Sequence, residues 1–405
     1  MIKVRDLLDV LIVGGGPAGA IAGLAAARAG ARVRILERAA FPRDKLCGDT
    51  VNPGALSLLE RLGVSAGVEA GGLPVEGMVV TGEGGVRIAA RYPSSLHGRA
   101  ILRRDFDWLL LQAALAAGCE LEERTTVRGA IVNGRPDAAR VVGVEVGSDR
   151  DARTLHAPVV IGADGRRSRI AFGLGLARHP PRPRRWAVGA YLSGVTPPAN
   201  GATGCNGSDS RPFVFGEMHV RRNCYIGVAP VPGGLTNVCL VRPAAADHAA
   251  FQDPATSLTR TLAADPILRD RFATATLVTP PAILGPLAVD ATGAPIDGLL
   301  LAGDAAGFVD PMTGDGLRFA IRGGELAAAA ALQALEHGWA GVHASYAAAR
   351  TEAFASKWRF NRALRAIVAS PASVSAGAHA ARLIPTALRW IVARAGDCHV
   401  TASCA

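Results

Sequence analysis

The chain has 405 residues, 49% of them apolar and 19% charged, which excludes a disordered or fibrous protein and is long enough for two or three domains. Glycine (48) and proline (25) are abundant but aperiodic, which excludes collagen, and no apolar run reaches the roughly 18 residues of a membrane span. The net charge of +10 is concentrated near the C-terminus, where Arg350, Lys357, Arg359, Arg362, Arg365, Arg382, Arg389 and Arg394 face one acid, Glu352.

In chain order, DVLIVGG (8–14) reads as a buried parallel strand, followed by an Ala-rich helix over 17–30 and a second strand, ARVRILE. The polar link FPRDKLCGDTVNP leads to a helix over 54–62, and VEGMVVTG with GGVRIAARY reads as an antiparallel hairpin. A helix over 104–117 and short strands end at PVVIGADG. Residues 178–212 read as a Pro- and Arg-rich link followed by a mobile glycine-rich loop. FVFGEM, NCYIGVAP and LTNVCLVRP suggest a second sheet, with helices near 255–273. GLLLAGD returns the chain to the parallel sheet, an Ala-rich helix covers 316–336, and 341–395 is helical with a break at Ser370–Pro371.

Three glycine-containing turns follow apolar strands. Gly14-x-Gly16-x-x-Gly19 opens a helix: Gly14 permits the tight turn, Gly16 the approach of backbone to a pyrophosphate, and Gly19 close helix–strand packing. Glu37 ends the next strand 21 residues after Gly16, near the about 20 at which a carboxylate accepts from a ribose. Asp164-Gly165 and Gly303-Asp304 are the second and third turns, the latter followed by Pro311, Gly314 and Gly316. Asp304 suits the ribityl hydroxyls of a flavin, and the N-terminus of the following helix suits negative charge on the reduced ring.

In this order the three turns resemble the FAD-dependent group of p-hydroxybenzoate-hydroxylase-like monooxygenases, geranylgeranyl reductases and flavin-dependent halogenases, over about residues 8–335. The resemblance implies an α/β fold: a Rossmann-like parallel-sheet FAD domain (1–75, 101–177, 286–340) with an inserted antiparallel substrate sheet (76–100, 178–285) and a helical C-terminal segment (341–405). It also implies that Gly14, Gly16, Pro17, Ala18, Gly19, Glu37, Arg38 and Lys45 bind FAD. Arg103, in Arg103-x-x-Phe106-Asp107, is a second contact, and the main chain near Val127 meets the adenine. Asp164, Gly165, Gly303, Asp304, Pro311, Gly314 and Gly316 complete the cofactor set. With a single dinucleotide fingerprint, NAD(P)H is expected only as a transient reductant.

FPRDKLCGD (41–49) is most similar to the prenyl-reductase branch, which places Cys47 beside the flavin. Cys47 reads equally as a reactive thiol or a small buried apolar group, and Asp49 as a proton donor or a loop cap. The prenyl-reductase lid Tyr-x-Trp-x-Phe-Pro is replaced by Tyr225-Ile-Gly227-Val-Ala229-Pro230, so Tyr225 reads either as the one aromatic wall or as a core tyrosine bonded to backbone. The expected activity is therefore a single-component monooxygenase using FAD, NAD(P)H and O2 on an apolar aromatic, polyketide or terpenoid compound. Reduction of an isoprenoid double bond is the alternative; halogenation comes third, because the Trp-x-Trp-x-Ile-Pro signature is absent.

Neither metal-ligand spacing nor a nucleic-acid partner is read from the chain, since the residues outside the C-terminal stretch are nearly balanced in charge. Cys398, His399 and Cys404 are taken for a frayed tail. Seven scattered cysteines without a Cys-x-x-Cys pair suit reduced thiols and the cytoplasm. The basic C-terminal stretch is read first as a solvated helical face and second as a weak contact with an anionic inner-membrane surface.

Overall fold

Val10–Val13 is apolar at every position and fully buried, as a strand covered on both faces must be. It sits at the centre of a five-stranded parallel sheet, between Val33–Leu36 and Val159–Gly162, with Glu120–Glu122 and Leu299–Leu301 at the edges. The computed structural model describes residues 8–398, apart from 94–95, 136–137, 149, 182–184, 199–202, 207–208, 244–250, 293, 310–311, 313, 369–389 and 392.

One face of this sheet carries the helices Pro17–Arg28, Arg103–Ala116 and Gly316–His337. Their small residues allow backbones to meet: a Cβ on Gly324 would lie 2.3 Å from the Ala18 carbonyl oxygen. The other face is covered by a three-stranded antiparallel sheet, Val127–Asn133, Arg140–Val146 and Arg153–His156, whose valines pack on Leu11, Val13 and Leu36.

Among the described residues the second sheet has eleven strands. Its main path runs Thr276–Leu277, Arg185–Ser193, Leu235–Pro243, Cys224–Val231, Asp209–Arg221, Leu73–Thr81, Gly98–Ala100 and Thr50–Val51. The 73–81 and 209–221 strands pair in parallel, and Arg87–Arg91 adds to the former as the expected hairpin. Val188, Ala190, Ile226, Val228 and Leu240 pack one face of the sheet against Leu258 and Leu262 of helix Pro254–Ala264. Ala187, Tyr225 and Val241 point from the other face into the interior between sheet and parallel domain.

The largest correction concerns 178–212. Arg185–Ser193 is no link but a nine-residue strand inside the second sheet, paired with 235–243 on one side and with 276–277 and 282–284 on the other. Thr203–Asn206 also pairs with 209–221 instead of forming a mobile loop. Small residues obscured the strand: a Cβ on Gly189 would stand 2.4 Å from Leu46 Cδ1 and 2.9 Å from the Val238 carbonyl oxygen, so the glycine leaves room for the Leu46 side chain to lie across it.

A 27-residue helix, Val342–Val368, follows; the expected break at 370–371 lies outside the described residues. The basic stretch does not form a single solvated face. Lys357 is 2% exposed and Arg350 donates to the Ala306 carbonyl (2.9 Å), while Arg359 and Arg362 are exposed and Arg382 and Arg389 lie outside the described residues. Cys398 is no frayed end: it is buried with Tyr92 and Ala393, because residues 393–398 fold back onto the second sheet; His399 and Cys404 lie outside the described residues. Among the described residues no helix is long and apolar enough to cross a membrane.

Candidate active site

The first glycine turn is shaped by close approaches. Gly14 has φ +102°, and a Cβ there would stand 2.6 Å from the Ala163 carbonyl oxygen; one on Gly19 would stand 1.9 Å from the Gly14 oxygen. Gly19 is thus a packing residue. Gly16 caps the 17–28 helix without a side-chain hydrogen bond, and its Cβ position is open but for the Arg43 guanidinium at 3.5 Å. The first-turn amides are therefore left for an anion. Glu37, nearly buried, accepts from the Gly15 and Ala39 amides (both 3.0 Å), so it also stiffens the turn.

A cavity of about 910 Å³ joins this turn to the second sheet. Gly14, Gly16, Pro17, Ala18, Glu37, Arg38, Val127, Asp164 and Gly165 line it. So do Lys45, Cys47, Arg103, Gly303, Asp304, Gly314 and Gly316, with Tyr225, Gly227 and Ala229 from the second sheet. Of the other residues expected here, Gly19 lies behind the turn, Asp49 is buried behind the wall, and Pro311 is outside the described residues.

Charge gathers around Asp304. Burial raises the pKa of Asp304, opposed by Lys45, Arg166 and Arg103. Burial, reinforced by Arg166 and Arg103, lowers Lys45 to about 8, while Asp304 pulls it back up. Burial also lowers Arg166 to about 10. Asp164 Oδ1 and Arg166 Nε are buried without a hydrogen-bond partner, and both residues border the cavity. Arg43 binds Asp107 (3.0 Å), which also takes two bonds from Arg103 (2.7 and 2.8 Å). Arg43 and Arg166 were missed in the sequence; their signal was adjacency, in FPRDK and directly after Asp164-Gly165.

The Cys47 corner is assembled from distant segments. Asn237 Nδ2 donates to the Cys47 carbonyl (2.8 Å) and to Asp49; Cys239 Sγ donates to the same carbonyl (3.3 Å), and the Cys47 side chain hydrogen-bonds Arg103. Asp49 has φ +51° and is fully buried; it also accepts from the Arg103 amide (3.2 Å) and from Tyr191. These bonds hold the loop in place, and the carboxyl itself is buried and does not line the cavity. Tyr191, Asn237 and Cys239 carry no signal in the sequence, since register alone sets them side by side.

Burial raises Asp49 to about 6, against hydrogen bonds from Tyr191 and Asn237 that favour the carboxylate. The folded protein therefore holds this proton more tightly than the unfolded chain. The stability it contributes is present below about pH 4 and is lost as pH rises through 6, by at most about 3 kcal/mol. Asp49→Asn should remove that slope. Denaturation of both proteins between pH 4 and 6.5 checks it; identical slopes would show that Asp49 does not titrate there.

On strand 224–231, Tyr225, Gly227 and Ala229 share the cavity-facing side while Ile226 and Val228 face the 254–264 helix, as alternation requires. Tyr225 is buried against Ala187, Val241, Leu287 and Met312. A Cβ on Gly227 would meet nothing closer than the Cys239 carbonyl oxygen at 3.9 Å.

The residues fit a dinucleotide flavin: open Cβ positions at Gly16, Gly165 and Gly314, an uncapped helix start, a buried strand-end carboxyl and two unpartnered polar atoms along one cavity. A family model described as "FAD binding domain" matches residues 7–360. The chain belongs to this FAD-binding family. Its cofactor is FAD, and it is an FAD-dependent oxidoreductase.

This family member is similar to conditioned medium factor receptor 1 of Dictyostelium discoideum (29% identity over 82% of the chain) and spans 64% of that relative's length. It is 30% identical to digeranylgeranylglycerophospholipid reductase 2 of Methanopyrus kandleri, covering 81% of the chain and 78% of the relative. It is 29% identical to the menaquinone reductase of Mycolicibacterium smegmatis, covering 79% and 75%. Among solved structures, a flavin-dependent brominase superposes with a TM-score of 0.79 at 20% identity, covering 96% of the chain and 93% of that structure, which is a likeness of fold.

Proposed function

We propose that the protein is an FAD-dependent reductase of a carbon–carbon double bond in a bulky apolar, isoprenoid-type molecule, with NAD(P)H as reductant. The Cys47 corner carries this reading: a thiol on the cavity wall, hydrogen-bonded to Arg103, with its carbonyl pinned by Asn237 and Cys239. Bound FAD would supply a hydride to one olefinic carbon. The protein must deliver a proton to the other, and this role falls to Cys47 Sγ on the cavity wall. Asp49, Asn237 and Tyr191 fix the loop carrying it. Glu37, Arg38, Lys45, Arg103, Asp164, Arg166 and Asp304 would hold the cofactor, and the apolar side chains of the second sheet would exclude water. The two prenyl-substrate reductases that align over about four fifths of the chain support the same choice.

The second reading, oxygenation with O2, is favoured by one observation: the open slot at Gly227 and Ala229 admits a wider molecule than a thin polyprenyl chain requires. A single experiment separates the two. The enzyme is given NAD(P)H, ¹⁸O-labelled O2 and deuterated water, with menaquinone and geranylgeranyl-bearing lipids as probes. Reduction predicts a product gaining two carbon-bound hydrogens, at least one of them a non-exchangeable deuterium, and no ¹⁸O. Incorporation of ¹⁸O, with the double bonds retained or epoxidised, would overturn the reductase assignment.

A further inference from the structure

Lys357 lies outside every motif, yet it is buried to 2% exposure inside the molecule. An ammonium is kept there only if its protons are taken up. All three are: one by Asp315 Oδ1 (3.1 Å), one by the Ala395 carbonyl (2.8 Å) and one by the Arg394 carbonyl. Asp315, 1% exposed, stands directly between Gly314 and Gly316 at the head of the 316–337 helix and also accepts from Asn52 Nδ2 and Asn361 Nδ2 (both 3.1 Å). Four segments far apart in the chain therefore meet on one carboxylate and one ammonium.

The C-terminal turn is held at two further points. The Gly54 amide donates to the Gly396 carbonyl (3.0 Å), and Arg318 pairs with Asp397. The fit is tight: a Cβ on Gly396 would lie 2.5 Å from the Tyr92 ring, and one on Gly54 2.6 Å from Asp397 Cβ. Ile391 and Ala395 form part of the cavity wall, with Asn52, Tyr92, Gly314 and Gly316.

We propose that Lys357 is a positioning residue for the flavin end of the cavity: it latches the turn 393–398 onto Asp315, so that the turn closes the cavity beside Gly314 and Gly316. This rests on the placement of FAD against those two glycines. An apolar pair would bury as well, but the ammonium joins a helix head to two carbonyls of a separate turn and so admits one docking geometry. A closed wall keeps water from the reacting face, which hydride transfer and oxygen transfer both require.

The test uses the full chain with FAD. Lys357→Met should weaken FAD binding, read from flavin fluorescence, by at least about tenfold, and should raise iodide quenching of the remaining bound flavin, whereas Lys357→Arg should retain most of both. Gly396→Val forces the turn off Tyr92 with the charged pair intact, and should raise quenching in the same way; it decides the matter if Lys357→Met does not fold. A folded Lys357→Met, or a folded Gly396→Val, with wild-type affinity and quenching overturns the latch. Gly314→Leu is the control for the cofactor placement. If it holds FAD as tightly as wild type, that placement fails; if it loses FAD while the latch variants behave as wild type, only the latch fails.

Discussion

Asp304→Ala should purify without its yellow colour, or lose FAD on dilution. Asp304 follows the Leu299–Leu301 strand, and its carboxyl is within electrostatic reach of Lys45, Arg166 and Arg103, which also line the cavity. Burial raises its pKa and the three cations oppose this, so a ligand hydroxyl would meet an acceptor in a largely dry place. Removing a charge-assisted hydrogen bond costs about 1.5–3 kcal/mol, or one to two decades in affinity. The substitution also strips the shared counter-charge from Lys45, which burial already holds near 8, so its proton should come off still more easily. Equilibrium dialysis against FAD decides the point. Stoichiometric flavin retained by Asp304→Ala under dilution that leaves wild type saturated would remove Asp304 from the cofactor site.

The Gly227→Trp/Ala229→Phe double variant should lose substrate turnover by roughly two orders of magnitude, the scale on which misplacing a substrate by about an ångström acts. Both residues face the cavity on one side of strand 224–231, and the space at Gly227 is open to 3.9 Å. Two aromatic rings would occupy the slot that admits the substrate. The glycine end, Asp304 and Lys45 lie on other segments, so FAD content and the slow substrate-free oxidation of NAD(P)H should stay near wild type. Undiminished turnover would show that this strand does not line the substrate path. A switch of preference from bulky to thin polyprenyl probes would strengthen the reductase reading.

The cofactor end was legible in the sequence because its logic is local. Gly14 and Gly303 take positive φ, and Gly16 and Gly19 leave room for backbone, within a few residues of apolar strands that end in Glu37, Asp164 and Asp304. Strand, turn and helix start are short-range signals, and their order announces a discontinuous parallel domain. The alternation that puts Tyr225, Gly227 and Ala229 on one face is equally local.

What sits beside Cys47 was not legible. Tyr191, Asn237 and Cys239 reach it through a register between two strands, one of which, 185–193, reads as a link because Pro and Arg precede it and Gly and Ala dilute its pattern. Lys357 was counted with a surface charge run, since one-dimensional charge arithmetic cannot tell an ammonium facing water from one paired with Asp315 forty-two residues earlier. The sequence by itself determined the cofactor class and the order of the sheets, because turns, strand ends and helix starts are written in adjacent residues. Only the tertiary structure decided which thiol, carboxylates and ammonium gather around the cavity, because burial and hydrogen bonding between segments as far apart as Gly54 and Gly396 are properties of the packed chain.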